Sequence, residues 1–141
     1  MDGLDIRPAR ELILTNQQLQ QMLDHSAAVA PEEACGLVAG VAGRAQQVIP
    51  ATNTLHSPVR YRMEPLEQLK AFQRIESSGW ELLAIYHSHP AGPSRPSPTD
   101  IQEAAYPGVV HLIWSRIDHK WRCKGFIIEM GAVEEVPLKI L

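Results

Sequence analysis

Cysteine is scarce in this sequence. It occurs twice, at Cys35 and Cys123, and the two residues are far apart and form no Cys-x-x-Cys pair. Small secreted proteins that depend on disulfides carry several closely spaced cysteines. The sequence therefore argues against a disulfide framework, and we expect both cysteines to be reduced in a cytoplasmic protein.

An excess of positive charge is also absent. The sequence has 13 Lys and Arg residues against 16 Asp and Glu residues, a formal net charge of −3 and a pI near 6.0. Phosphate binding depends on concentrated Lys and Arg, and no basic cluster occurs here. We therefore expect no nucleic acid as the main partner.

Long apolar runs are missing as well. No run approaches the length of a membrane span, and the N-terminus contains no apolar signal core, so we expect no membrane partner. The 141 residues are 45% hydrophobic and 21% charged, which is the composition of an ordinary globular protein. This length predicts a single domain over residues 1–141, large enough to bury a core. The oligomeric state cannot be inferred from the sequence.

Hydrophobic periodicity predicts an α/β fold. The predicted helices cover residues 16–30, with Thr15 or Asn16 as the cap, 64–78 and 98–105. The predicted strands cover residues 11–15, 35–41, 45–50, 61–63, 82–89, 109–117, 121–130 and 133–138. This order of elements predicts a mixed β-sheet flanked by helices.

A His-x-His pair ends one of the apolar runs. His87 and His89 follow the run 82–85, which is typical of a buried strand. Alternate side chains of a strand share a face, so the two imidazoles point the same way, with Cα atoms about 7 Å apart. Both can then reach one metal ion, although an isolated His-x-His pair is more often merely solvated or hydrogen-bonded.

A third ligand is expected just beyond the pair. Pro90 ends the strand, and Ser97-Pro98-Thr99-Asp100 is typical of a helix start with proline at the first helical position. Asp100 can be presented from that helix end toward the histidines. Two neutral imidazoles and one carboxylate leave a coordination position open, as in catalytic zinc sites. The sequence thus predicts one zinc ion per chain, held by His87, His89 and Asp100.

A metal-activated water also requires a general base that is not itself a ligand. The candidates are Glu33 and its neighbour Glu32, which spacing alone cannot separate. Cys35 is a weaker alternative, as a nucleophile beside a histidine, because buried free cysteine is usually inert packing. Ser97 fits a helix cap. The other four histidines have no ligand spacing, and His111 lies within an apolar strand.

The motif His87-Ser88-His89-Pro90 with Ser97 and Asp100 resembles the JAMM (MPN+) motif of zinc metallopeptidases. Glu33-Ala34-Cys35-Gly36 is similar to the upstream Glu-x-Cys-Gly setting of that family. The resemblance implies the JAMM/MPN architecture, which is cytidine-deaminase-like, with Glu33 as the general base. It also implies a second task for Ser97, stabilising the oxyanion of the tetrahedral intermediate.

The middle of the chain narrows the resemblance. Residues 50–70, with Asn53 and Tyr61-Arg62, are similar to small bacterial proteases that act on sulfur-carrier proteins. The resemblance implies cleavage at the C-terminal glycine of a small ubiquitin-like carrier, with release of cysteine or another adduct. The carrier's identity and the choice between peptide and isopeptide bonds remain open.

Two other functions compete with the peptidase. A non-catalytic MPN-type interaction module is disfavoured because this chain retains the three ligands, Glu33 and Ser97. A RadC-like role near DNA, suggested by the same His-x-His-Pro loop, is opposed by the acidic charge balance.

Overall fold

The computed structural model describes residues 11–141, so the first ten residues of the predicted domain lie outside the described part. The strands are β1 (Leu12–Leu14), β2 (Cys35–Val41), β3 (Arg44–Ala51), β4 (Glu81–His89), β5 (Val110–Ile117), β6 (Lys120–Glu129), β7 (Ala132–Val136) and β8 (Leu138–Ile140). The helices are α1 (Asn16–Val29), α2 (Pro65–Ser77) and α3 (Pro98–Glu103).

The strands form one mixed sheet in the order β7-β6-β5-β4-β2-β3-β1-β8. Strand β4 lies near the middle, antiparallel to β2 and parallel to β5. The predicted mixed sheet with flanking helices is confirmed. Because β4 has a neighbour on each side, residues at its C-terminal end lie between two other strands.

The alternation of side chains along β4 divides the core into two layers. Tyr86 belongs to the cluster that includes Met22 of α1, whereas Ile85 belongs to the cluster that includes Ala71 and Ile75 of α2. The two helices therefore cover opposite faces of the sheet. His87 shares the face of Ile85, which is the α2 face.

Helix boundaries follow the capping residues. The side chain of Thr15 accepts a hydrogen bond from the backbone N–H of Gln18, which confirms the predicted cap of α1. Glu64 accepts from the N–H groups of Leu66 and Glu67 at the start of α2. Proline at the first position of α2 and α3 removes a donor that a helix start leaves without a helical partner.

Two predicted strands are corrected by the structure. Residues 61–63 form no strand: Met63 makes only an isolated bridge with Asn53, because the rest of this segment bonds to loops. The predicted last strand, 133–138, is two strands, β7 and β8, separated by Pro137. Proline has no N–H for the ladder, and the chain changes partner there, since β8 pairs in parallel with β1.

No helix within residues 11–141 is long and apolar enough to span a membrane.

Candidate metal centre

The two histidines lie where β4 ends. His87 pairs with Cys35 of β2 and with Ile113 of β5, and His89 pairs with Ser115 of β5. Only 1% of His87 and 5% of His89 is exposed. Both imidazoles point to the α2 face of the sheet, as their alternation predicts, and their neighbours fix them in a largely dry environment.

Asp100 reaches the same point from the first turn of α3. Ser97 caps this helix, with its Oγ accepting from the Asp100 N–H at 3.0 Å. The Asp100 Oδ2 in turn accepts from the Ser97 N–H at 2.8 Å. This reciprocal capping box confirms the predicted cap of Ser97 and fixes the carboxylate relative to the helix start.

The three side chains converge on one small space. The Nε2 atoms of His87 and His89 are 3.1 Å apart, and they lie 3.0 and 3.1 Å from Oδ2 of Asp100. Ligands about 2.0 Å from a tetrahedral zinc ion are separated by about 3.3 Å. The triangle of donors therefore has nearly the size that such an ion requires, and the three residues form a group that could hold a metal.

The protonation of His89 strengthens this interpretation. Its Nδ1 lies 2.8 Å from the carbonyl oxygen of Pro93, which can only accept, so Nδ1 carries a proton and donates. In the neutral imidazole, Nε2 then presents a lone pair toward the Asp100 carboxylate. Two acceptors face each other at this distance only when a proton or a cation lies between them. Ligating histidines typically donate their other ring N–H in this way.

The pKa values of these groups agree with a site built for a cation. Burial lowers the pKa of His89, but the hydrogen bonds to Asp100 and Pro93 outweigh burial and raise it. Burial raises the pKa of Asp100, and the hydrogen bonds with both histidines reverse this and hold it well below its usual range. For His87, burial prevails and lowers the pKa. These directions favour a protonated His89 beside an ionised Asp100, so positive charge is stabilised at this point.

Glu33 and Glu32 face different surroundings. Glu33 is 3% exposed, its Oε1 is buried without a hydrogen-bond partner among residues 11–141, and the charges of His89 and Asp100 act on it. Glu32 is half-buried and pairs with His56 at 3.1 Å near the surface. Glu33 is thus buried within electrostatic reach of the metal-ligand group, whereas Glu32 is paired near the surface.

Burial sets the acidity of the groups beside the ligands. Burial raises the pKa of Glu33 to about 8, with a smaller opposing effect of His89. Burial also raises the pKa of the Cys35 thiol to about 12. A thiol with that pKa is protonated at neutral pH, whereas the nucleophile is the thiolate. The raised pKa therefore gives no support to Cys35 as a nucleophile.

Two further residues support the site, and sequence reasoning assigned neither a task. Tyr61 stacks on the imidazole of His87, with ring centroids 4.8 Å apart. The Asn53 side chain donates to the carbonyl oxygens of Glu33 and Arg60 and so joins the Glu33 segment to the following loop. Both residues lie in the middle segment that carries the family resemblance, which was the one signal for them.

The remaining histidines lie outside the ligand group. The Nδ1 atom of His25 forms a 2.7 Å hydrogen bond with the Tyr86 hydroxyl on the α1 face. His56 pairs with Glu32, and His119 occupies the turn between β5 and β6. His111 lies in β5 as predicted, and its buried Nε2 has no hydrogen-bond partner in the part of the chain that the structure describes.

This fold and this donor set are those of a JAMM-type hydrolase, with two histidines from a strand and an aspartate from a helix start. A family model described as prokaryotic homologs of the JAB domain matches residues 15–124. The chain belongs to this family, as the resemblance of its motif implied.

Named relatives include peptidases. The chain is 35% identical over 133 residues to the CysO-cysteine peptidase of Mycobacterium tuberculosis, covering 92% of this chain and 91% of the relative. It is 46% identical over 89 residues to a probable TtuB-protein conjugate cleaving protease of Thermus thermophilus, covering 62% and 60%. It is 34% identical over 120 residues to a desampylase of Haloferax volcanii, covering 80% and 83%.

Solved structures share the fold. A protein of Desulfitobacterium hafniense, 36% identical, superposes with a TM-score of 0.82 and covers 92% of each chain. A structure described as JAMM, a metalloprotease-like zinc site in the proteasome and signalosome, superposes with a TM-score of 0.58 at 19% identity, covering 94% of this chain and 99% of the other. The second likeness concerns the fold alone.

Proposed function

We propose that this protein is a zinc-dependent metallopeptidase that cleaves at the C-terminal glycine of a small ubiquitin-like sulfur-carrier protein. The observation that carries the proposal is the convergence of His87, His89 and Asp100, with the buried carboxylate of Glu33 within electrostatic reach of them. The relatives named as carrier-adduct and conjugate-cleaving proteases support the substrate class.

One zinc ion per chain fits the three donors. Zinc accepts two imidazoles and a carboxylate and keeps a fourth position for water or substrate, which is the arrangement of catalytic sites. When bound, zinc supplies a Lewis acid and makes water acidic enough to be a nucleophile at neutral pH. The hydrogen bond from His89 to Pro93 and the capping box of Asp100 orient two of the ligands.

Glu33 is assigned the proton transfers. Its carboxylate takes a proton from the attacking water and passes it to the leaving nitrogen, as a general base that then acts as an acid. Burial favours the protonated form of Glu33, which suits a group that must hold a proton between two steps. A nearby cation lowers its pKa again and restores the base.

The task assigned to Ser97 is to stabilise the oxyanion of the tetrahedral intermediate. Its Oγ accepts from the Asp100 N–H, which leaves the hydroxyl proton free to donate elsewhere. A hydroxyl at the helix start that carries Asp100 would donate to the substrate oxygen as negative charge develops on it.

The test combines metal content and cleavage. The purified protein should contain about one zinc per chain, and His89→Ala should lose it. Glu33→Gln should keep zinc and fold but cleave a carrier protein bearing a C-terminal cysteine at least about 100-fold more slowly, within the range for general-base loss.

The outcomes separate the peptidase from the interaction module. Absence of zinc after reconstitution at neutral pH would overturn the peptidase. Full cleavage by Glu33→Gln would remove Glu33 from the mechanism while leaving the metal centre in place. Carrier binding by a zinc-loaded protein that never cleaves the adduct would favour the non-catalytic module.

A further inference from the structure

A second polar group lies buried on the face of the metal ligands. His111 pairs with Ile85, so its side chain lies on the α2 face, diagonally across from His87. It is 5% exposed, and its Nε2 has no hydrogen-bond partner among the described residues. Burial lowers the pKa of His111 to about 4, so the imidazole is neutral. An unpaired polar atom at such depth is costly unless a bound group satisfies it.

His111 lies where two cavities meet. One, of about 170 Å³, is lined by His87 and Asp100 and continues past Glu103 and Ala104 of the α3 region. The other, of about 150 Å³, lies toward α2 and is lined by residues including Met63 and Tyr106. Tyr61, Glu103 and His111 line both cavities. The small uncharged imidazole thus lines both cavities, which together we call the passage.

The size of the passage restricts what enters it. Each cavity is smaller than the roughly 300 Å³ at the lower end of sites for drug-sized ligands. An extended peptide segment with small side chains fits such a passage better than a bulky group. Its backbone N–H and C=O groups would lose water on entry and need partners. A buried neutral imidazole can serve as a donor or an acceptor for one of them.

The position of Glu33 indicates which part of the substrate occupies the passage. Glu33 precedes β2, on one side of β4, whereas His111 lies on β5, on the other side. If Glu33 delivers a proton to the leaving nitrogen, the amine portion of the substrate lies on the β2 side. The acyl portion, which is the carrier tail, then extends past His87 toward His111.

Resting on the proposed function, we infer that His111 hydrogen-bonds the backbone of the acyl tail and positions it in the passage between α3, Tyr61 and β5. By binding the main chain of the tail, His111 favours a narrow tail. His111 is not one of the metal ligands. Its loss is expected to weaken tail binding without changing the metal.

The experiment compares His111→Leu, which removes the polar atoms at similar size, with His111→Gln, whose amide can replace them. The probe is a fluorescent peptide ending in Gly-Gly with a free carboxylate, titrated into each zinc-loaded protein, alongside kcat and KM for the carrier adduct. Ser26→Ala is the control, since its buried Oγ is also unpartnered but lies in α1, on the opposite face.

His111→Leu should bind the peptide about tenfold more weakly and raise KM more than it lowers kcat. His111→Gln should bind the peptide at least about threefold more tightly than His111→Leu. Zinc content should be equal in all variants. Equal peptide affinity in every variant, with cleavage intact, overturns the assignment of His111 and leaves the peptidase standing. Zinc loss in His111→Leu overturns it too, in favour of a purely structural position. No peptide binding and no cleavage by the unsubstituted protein overturns both.

Discussion

At the scale of single residues, the decisive feature is a carboxylate held in a dry position. Glu33 is buried, its Oε1 has no hydrogen-bond partner within the described residues, and this burial raises its pKa to about 8, from 4.5 in the unfolded chain. Between these pH values the unfolded state releases a proton that the folded state retains. Stability of the metal-free protein is therefore lost as pH rises through this window.

Glu33→Gln removes the pH dependence of stability that the Glu33 carboxyl causes. We expect the metal-free variant to melt at a higher temperature than the metal-free parent, with a difference that grows from pH 5 to pH 8 and then levels off. Thermal melts in chelator at a series of pH values measure it. Glu32→Gln, which changes a surface carboxylate paired with His56, is the matched control and should follow the parent. A constant difference at all pH values would contradict the raised pKa.

The same residues show how far sequence reasoning reaches. Spacing placed His87, His89 and Asp100 together because a strand and a helix cap impose short-range geometry. It could not separate Glu32 from Glu33, because which of two adjacent carboxylates is buried depends on how the segment before β2 packs in the folded protein. It gave no sign that His111 would be unpaired, since pairing within the core depends on which distant residues pack together.

At the scale of elements, the short helix α3 both caps its own start and presents the candidate ligand Asp100. Its cap, Ser97, and its third residue, Asp100, hold each other by two hydrogen bonds, and the same Asp100 oxygen meets both imidazoles. The stability of the helix start and the affinity for metal are thus coupled through one side chain.

Ser97→Ala should therefore affect both properties. Loss of an N-cap costs about 1 kcal/mol. The Ser97 N–H that donates to Oδ2 of Asp100 is retained in the variant, so metal affinity should fall only because the loosened helix start holds Asp100 less firmly, by up to about tenfold. Urea unfolding and a competitive zinc titration measure the two effects. Ser97→Asn retains a capping oxygen and should restore stability and zinc affinity. An alanine variant that binds zinc as tightly as the parent would show that the cap does not orient Asp100.

Elements were predicted well where local signals were strong and poorly where tertiary contacts decide. The helices and the central strands carry clear periodicity and caps. Residues 61–63 have the composition of a strand, but Asn53 organises this segment by accepting from the Arg62 N–H, and no second strand flanks it. The division of the last strand at Pro137 was readable in principle from the missing N–H.

At the scale of the whole molecule, the strand β8 completes one edge of the sheet. β8 pairs in parallel with β1, and Leu138 packs against the core cluster of the α1 face. Along the sheet, β1, β3 and β2 separate β8 from β4. This arrangement depends on a long-range parallel pairing that no local pattern in the sequence specifies.

Deletion of residues 138–141 tests this separation. We expect a loss of about 2–4 kcal/mol in the free energy of unfolding, mainly from removing Leu138 and the ladder with β1. Zinc content measured at low temperature should be unchanged. Lys139→Ala, an exposed change in the same strand, is the control and should stay within about 0.5 kcal/mol of the parent. Loss of zinc from the truncated but folded protein would show that the edge and the centre are coupled.

The proline-rich loop after β4 bears on whether folding or metal binding comes first. Pro90, Pro93, Pro96 and Pro98 restrict the unfolded chain, and His89 and Pro93 fasten the loop in the folded one. The ligands are thus assembled by the fold itself, whereas a zinc finger acquires its structure only with its metal. A metal ion that binds here would add to ligands already held by the protein's own hydrogen bonds, and little folding would remain for it to drive.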